Sequence, residues 1–326
     1  MVSKTSAITR SDIVTRRQFA AWGCIVSVLT TEPDASDVAE FLLREDLNTV
    51  ERACSRFRMD AEIMLASRAN GRAIVVSQLL VDLITVALNV ARITDGAVDP
   101  TVGSALVDLG YDRDFAHMSK NRTARIAKAQ PVPGWTCVEL DKEKRLLRVP
   151  AGVLLDLGST AKAFTADYCA TRIAEVTGSA ILVNLGGDVA VRGAPPQGWP
   201  VGVALKSSLS PQDVDVVVLL QGGGLASSGT TSRTWRQGER EVHHIIDPTT
   251  GDCASTCWRL VSVAAPTCVE ANAASTAAIV WGESAIDRLR AMGLPSRLVH
   301  ENGSVVVLNG WPNDPEDLDV REGEVA

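Results

Sequence analysis

The chain has 326 residues, 46 % of them hydrophobic and 22 % charged, enough for one large or two moderate domains with a full apolar core. Its net charge of -7 supplies no basic face or stripe of the kind nucleic-acid binding requires. A protein of this sign that handles a pyrophosphate needs local positive charge, helix N-termini or a divalent cation to offset it.

Residues 1–14 read as a polar, frayed end. Arg16-Arg17-Gln18-Phe19 ahead of Ala20-Ala21-Trp22-Gly23-Cys24 superficially looks like a twin-arginine signal with a lipidated cysteine. Such a signal needs roughly 7–15 apolar residues, whereas about five separate Arg17 from Gly23, and Trp22 stands where small residues are wanted. The segment therefore reads as the entry to the first strand, near 23–30, of a cytoplasmic protein. Asp34-Ala35-Ser36 is an N-cap for an amphipathic helix running through Arg52. Residues 74–93 are apolar without Gly or Pro and read as a packed helix, with Asp82 and Asn89 on one face.

A Gly-, Asp- and Pro-rich loop spans 94–103, and 119–135 is a basic surface excursion. Short strands are expected at 138–140, 146–149 and 153–155, then a helix of about 20 residues after Gly158 that stops at Gly178. Strands follow at 180–184, 214–220 and 259–265, with turns at Gly186-Gly187 and 222–224. An Ala-rich helix is expected over 268–292, and residues 311–326 read as an acidic, mobile tail behind a single domain over 1–310. Strands and helices lack a regular βαβ beat, so the class is α+β with mostly antiparallel sheet. No apolar run reaches the length of about 18 residues that a transmembrane helix requires. Seven cysteines, at 24, 54, 137, 169, 253, 257 and 268, are odd in number and scattered, and Cys253 and Cys257 form a lone CxxxC. They read as free thiols in a reducing compartment.

Several turns could converge on a nucleotide. Gly158-Ser159-Thr160-Ala161-Lys162 opens a helix straight after Leu154-Leu155-Asp156-Leu157, a place suited to a pyrophosphate or to plain N-capping. Neither a Walker A loop nor a GxGxxG fingerprint occurs, here or at Asn184-Leu185-Gly186-Gly187-Asp188. His243 and His244 are adjacent, so in an extended segment their side chains point to opposite faces. One can face a ligand as a neutral general base, or the pair can simply cap the Asp247-Pro248 turn. Asn272, Ser275 and Thr276, at i, i+3 and i+4, share a helix face. They offer hard oxygens to Mg²⁺, or hydroxyls for small-residue packing.

Taken in order, these motifs resemble the FAD:protein FMN transferase (ApbE) family from about Trp22 to about Gly282. The family's small-Met-Gly-Thr opening resembles Ala21-Trp22-Gly23-Cys24, and its aromatic-x-Pro-Asp-Ser-Glu turn resembles Phe57-Arg58-Met59-Asp60-Ala61-Glu62. Its Gly-Ala-Phe-Asp-x-Thr-Val-Gly segment is similar to Gly96-Ala97-Val98-Asp99-Pro100-Thr101-Val102-Gly103. Asp156-Leu157-Gly158-Ser159-Thr160-Ala161-Lys162-Ala163 resembles Asp-Leu-Gly-Gly-Ile-Ala-Lys-Gly. Val183-Asn184-Leu185-Gly186-Gly187-Asp188 and His243-His244-Ile245-Ile246-Asp247-Pro248-Thr249-Thr250-Gly251 follow the family almost letter for letter.

The resemblance implies a two-lobed α+β fold, mixed to antiparallel in its sheet, with FAD as substrate in a cleft between lobes and Mg²⁺ as cofactor. Trp22, Phe57, Ala97, Val98, Asp99, Asp156, Lys162 and Ile245 would line the FAD site. Ser159 and Ala161, partly through backbone carbonyls, would hold the metal with Asn272, Ser275 and Thr276. His244 would be the base and His243 dispensable. The implied reaction moves the FMN half of FAD to a Ser or Thr hydroxyl of an acceptor protein with an FMN-binding domain, releasing AMP. No nucleic acid and no direct membrane insertion is implied. An FAD pyrophosphatase and a non-catalytic FAD-binding protein are the alternatives. The chain departs from the family at Asn272, where Asp is usual, at Met64-Leu65-Ala66-Ser67, at Ala226-Ser227-Ser228-Gly229-Thr230-Thr231-Ser232-Arg233, and at Trp22, whose ring could stack on the ligand.

Overall fold

The structure, a computed structural model, describes residues 14–118, 121–122, 129–205 and 214–312. Residues 1–13 of the end expected to fray, much of the basic excursion and residues from 313 of the tail expected over 311–326 lie outside the described residues; Trp311, expected to open that tail, is instead buried in the fold.

Eight strands form the central sheet: β1 (Thr15–Ala21), β2 (Cys24–Thr30), β3 (Ile181–Leu185), β4 (Asp188–Arg192), β5 (Gly223–Gly229), β6 (Trp258–Ala265), β7 (Ser296–His300) and β8 (Val305–Leu308). Their order across the sheet is their order along the chain, and every neighbouring pair is antiparallel. The α+β class expected from the sequence is the observed one. Among the described residues the parallel pairing is confined to Arg236 and Gln237 against Asn121 and Arg122.

The described residues also form seven α-helices: α1 (Ser36–Cys54), α2 (Glu62–Arg68), α3 (Gln78–Ile93), α4 (Gly103–Asp108), α5 (Ala161–Thr177), α6 (Cys268–Trp281) and α7 (Ala285–Met292). Alternation along β3 sorts its side chains. Ile181, Val183 and Leu185 pack with α1 and α5, while Leu182 faces the opposite side, onto a hairpin of strands Trp199–Val203 and Val216–Leu220. Trp199, fully buried, anchors that hairpin, and Trp311 is buried in the same cluster. Helix α6 lies between the sheet and α3, with Ala274 and Ala278 against Val261 and Val263, and Ala273 and Ala277 against Val90 and Val98. Burial on all sides explains its small side chains. A separate core holds α2, α3 and the strands Glu139–Asp141 and Leu146–Arg148.

Four expectations for individual strands and helices differ from what is seen. An additional strand, β1, precedes the expected first one and carries Arg16 and Arg17 in register with Leu29 and Val28. The 74–93 helix begins only at Gln78, because Ile74 and Val75 pair with Leu147 and Leu146 and the Ser77 hydroxyl caps the helix by accepting from Leu80 N at 3.2 Å. Residues 153–155 form no strand; Val153 N donates to Pro150 O in a turn and Asp156 N to Pro100 O. The 268–292 helix is two helices, broken where Gly282 adopts φ 57°, which no helix continues through.

Candidate functional site

A cavity of about 1090 Å³ opens where the β1–β2 and β3–β4 turns, the start of α5, the middle of α6 and the loops at 55–57, 97–99 and 228–246 meet. The β1–β2 turn has two residues, Trp22 and Gly23, between paired Ala21 and Cys24, and both have positive φ (51° and 67°). That is the hairpin geometry whose twist suits the strands, but it is costly for a bulky residue. It puts Trp22 on the cavity wall, where it packs against the cores on both sides.

Ala97, Val98 and Asp99 also line the cavity. The Asp99 carboxylate is fully engaged within the protein. Oδ1 accepts from Thr101 N (2.7 Å) and Thr101 Oγ1 (2.6 Å), and Oδ2 from Trp135 N (2.8 Å). Asp99 therefore shapes the wall through the turn it caps.

Asp156 is buried and held twice: Gly158 N donates to Oδ1 at 2.7 Å, and Arg56 Nε forms an ion pair with Oδ2. The Arg56 guanidinium in turn lies over Phe57 and Tyr111, 4.3 and 4.9 Å from the ring centroids. Phe57 and Tyr111 rings are 5.6 Å apart, and all four residues border the cavity. Arg56 and Tyr111 carry no motif, and the sequence reading missed both. They meet Asp156 only through folding, Arg56 from 100 residues away.

At the start of α5, Ser159, Ala161 and Lys162 line the cavity. Lys162 Nζ donates to Asp188 Oδ2 at 2.6 Å, and Asn272 Nδ2 donates to Asp188 Oδ1 at 2.9 Å. Asp188 closes the Gly186-Gly187 turn of the quoted motif, which was the available signal for it. Asn272 Oδ1 is buried without a protein partner. Thr276, one turn along α6, reaches the cavity and shares a hydrogen bond of 2.8 Å with Ser228. Ser275 does not line the cavity. Its hydroxyl bonds Ser228 at 3.0 Å and donates to Asn272 O at 3.1 Å, behind the wall. No group of three or more His, Cys, Asp or Glu able to hold a metal exists among the described residues.

The two histidines separate as alternation requires. His243 is absent from the cavity wall; Ile245 N donates to its Nδ1 (3.2 Å), so its proton sits on Nε2, which donates to Ala254 O (3.2 Å). Burial holds this ring below the usual histidine value. His244 and Ile245 line the cavity. Burial, the Arg233 charge, His243 and Lys162 push His244 well below the ordinary histidine value, against a hydrogen bond to the Arg233 main chain. It is therefore neutral at pH 7, and its Nδ1 has no partner in the protein. Arg233, also on the wall, was quoted in the sequence only as part of a departure.

Arg56 Nη2, His244 Nδ1 and Asn272 Oδ1 are thus three buried polar atoms without hydrogen-bond partners, all on residues of one cavity wall. Buried polar groups are normally satisfied, so such a cluster marks a place built to meet something else.

A model of the ApbE family matches residues 22–299. A Klebsiella pneumoniae protein named FAD:protein FMN transferase is 26 % identical over 284 residues, 85 % of this chain and 81 % of its own. A protein of the same name from Salmonella typhimurium is 28 % identical over 286 residues, with the same coverage. In fold the chain is similar to a crystal structure of an ApbE protein from Thermotoga maritima (TM-score 0.79, 24 % identity, 91 % of this chain and 97 % of that one). It is also similar to the apo flavinyl transferase ApbE of Pseudomonas stutzeri (TM-score 0.75, 20 % identity, 91 % and 95 %). With the family match spanning the strands, helices and turns that build the cavity, the chain belongs to the ApbE family.

Proposed function

We propose that this chain is a flavin transferase that moves the FMN half of FAD to a Ser or Thr hydroxyl of an acceptor flavoprotein and releases AMP. The observation that carries the reading is His244: a neutral imidazole with an unpartnered ring nitrogen on the wall of a cavity of about 1090 Å³. Curated relatives along four-fifths of the chain bear the name of this activity.

FAD occupies the cavity, between the sheet with α5 and α6 on one side and the unit containing α2 and α3 on the other. Trp22 and Phe57 offer ring faces for a flavin or adenine, a geometry in which aromatic groups gain both area and stacking energy. The acceptor hydroxyl oxygen forms a bond to the FMN-side phosphorus while the bond from that phosphorus to the bridging oxygen breaks, and AMP departs with the bridging oxygen. His244 takes the hydroxyl proton. The N-terminal end of α5 turns its dipole toward the phosphates, and Lys162, which donates to Asp188 Oδ2 at 2.6 Å, borders the same space.

The residues present fit a magnesium ion: Asn272 Oδ1 is an orphaned hard oxygen, Thr276 Oγ1 stands one turn on, and the start of α5 at Ser159 and Ala161 borders the same space. Few protein oxygens suit a cation that keeps substrate phosphates as its other ligands. When bound, the ion neutralises charge on the pyrophosphate. A cytoplasmic location belongs to this reading, supported by seven cysteines that are all free thiols. No helix among the described residues is long and apolar enough to cross a membrane.

The test is incubation of the protein with FAD, Mg²⁺ and an FMN-domain acceptor, following intact mass and AMP. A gain of one FMN on the acceptor, abolished by EDTA, supports the transferase. Free FMN and AMP without that gain would establish a pyrophosphatase, and recovery of intact bound FAD with two acceptors a binding protein.

A further inference from the structure

The oxygens that the chain offers to a cation are neutral, and the reason lies one contact behind them. Asp188 is a buried carboxylate, 2 % exposed, at the first position of β4. A carboxylate accepts hydrogen bonds and cannot donate them, so the Asn272 atom 2.9 Å from Oδ1 must be the amide nitrogen. That contact settles which way the amide faces: with Nδ2 committed to Asp188, Oδ1 is the atom left unpartnered. Asp188 Oδ2 meanwhile accepts from Lys162 Nζ at 2.6 Å. Its charge is thereby paired with a cationic side chain before any ligand arrives.

We propose that Asp188 is a positioning residue for the cation site: it fixes the Asn272 amide with Oδ1 free for a cation and, being paired with Lys162, leaves the protein's contribution to that site electrically neutral. The inference rests on the magnesium reading above. Compared with a family pattern in which position 272 carries the carboxylate, this chain carries it at Asp188, on the same cavity wall but bonded to the amide and paired with Lys162. A neutral oxygen attracts a divalent ion far less than a charged one, so the free ion binds weakly and the anionic charge that retains it comes from the phosphates of the dinucleotide.

The same three side chains allow the carboxylate to be moved without changing net charge. In Asp188→Asn combined with Asn272→Asp, Asn at 188 still accepts from Lys162 and now donates to Asp at 272. Every hydrogen bond is kept, one reversed, and the charge moves from Asp188, itself on the cavity wall, to position 272, whose free oxygen is the one offered to the cation. The experiment is Mn²⁺ titration of the full chain, followed by electron paramagnetic resonance without nucleotide, for wild type, Asp188→Asn and the double variant. Thermal melting reports folding. The expected result is Mn²⁺ binding at least tenfold tighter than wild type in the double variant and at least tenfold weaker in Asp188→Asn, which leaves the amide without its acceptor. A double variant no tighter than wild type, or an Asp188→Asn protein equal to it, overturns the role given to Asp188. If the double variant fails to fold, Asp188→Asn alone decides. No Mn²⁺ bound by any folded form, even with FAD present, would instead overturn the magnesium reading and this inference with it.

Discussion

Replacing Arg56 by Met keeps most of the side-chain stem but removes the cation that faces Asp156. In the structure the two side chains are only 4 % and 11 % exposed. Gly158 N remains as the one other donor to the Asp156 carboxylate. Stripping one partner from a buried pair costs about 3–5 kcal/mol, because the remaining charge keeps its desolvation without its compensation. The cavity adjoining Asp156 lets water approach, which sets the expectation at the lower end, about 3 kcal/mol. With a urea m-value of about 3 kcal/mol/M for a chain of this size, the midpoint falls by about 1 M. Asp156→Asn removes the charge and keeps an oxygen for Gly158 N. The double variant should therefore lose less than the two single variants together, with a coupling of about 2 kcal/mol. Urea melts followed by tryptophan fluorescence and by circular dichroism provide the four values. A loss under about 1 kcal/mol for Arg56→Met, or additive single effects, would refute the claim that this pair is a desolvated, mutually dependent unit.

Three further outcomes are expected. His244→Ala should retain FAD binding and lose transfer by about 10²–10⁴-fold, the usual worth of a general base; loss of FAD binding with the fold intact would assign it to positioning. Because both His243 and His244 are held below the ordinary histidine value, the unfolded chain takes up protons below about pH 6.5 that the folded chain refuses. Stability is then intact above that pH and declines as pH falls, at up to about 1.4 kcal/mol per pH unit for each ring, and a midpoint flat from pH 8 to 5 would contradict this. Gly251→Ala should destabilise severely, since the residue has φ 68° and an added Cβ would lie 1.9 Å from Gln130 O. A melting temperature within 2 °C or so of wild type would show that the 129–132 segment yields to the added methyl.

The elements with strong local signals were legible in the residues. Helix α1, helix α5 with its Gly178 stop, the β3–β4 turn and the strand over 258–265 fall within a few residues of where composition and periodicity put them. So does the convergence of Trp22, Phe57, Asp156, Lys162, His244 and Asn272 on one cavity, which the motif order anticipated. Strand β1 was not legible, because Thr15 to Gln18 is a polar, basic run whose strand character comes from its partner β2. Ser275 was grouped with Asn272 and Thr276 by helical spacing, yet spacing does not say which of three neighbours on a helix face reaches the cavity and which is turned onto Ser228.

The sequence by itself therefore determined the class, the family and the loops that form the site, since these depend on local conformational preference and short motifs. Tertiary structure alone decided the electrostatics: that Asp156 answers to Arg56, that Asp99 is engaged by Thr101 and Trp135, that Asp188 stands between Lys162 and Asn272, and that His244 is held well below the ordinary histidine value. The physical reason is that a side chain's charge state and free valences depend on burial and on partners 100 or more residues away, neither of which is encoded at the position itself.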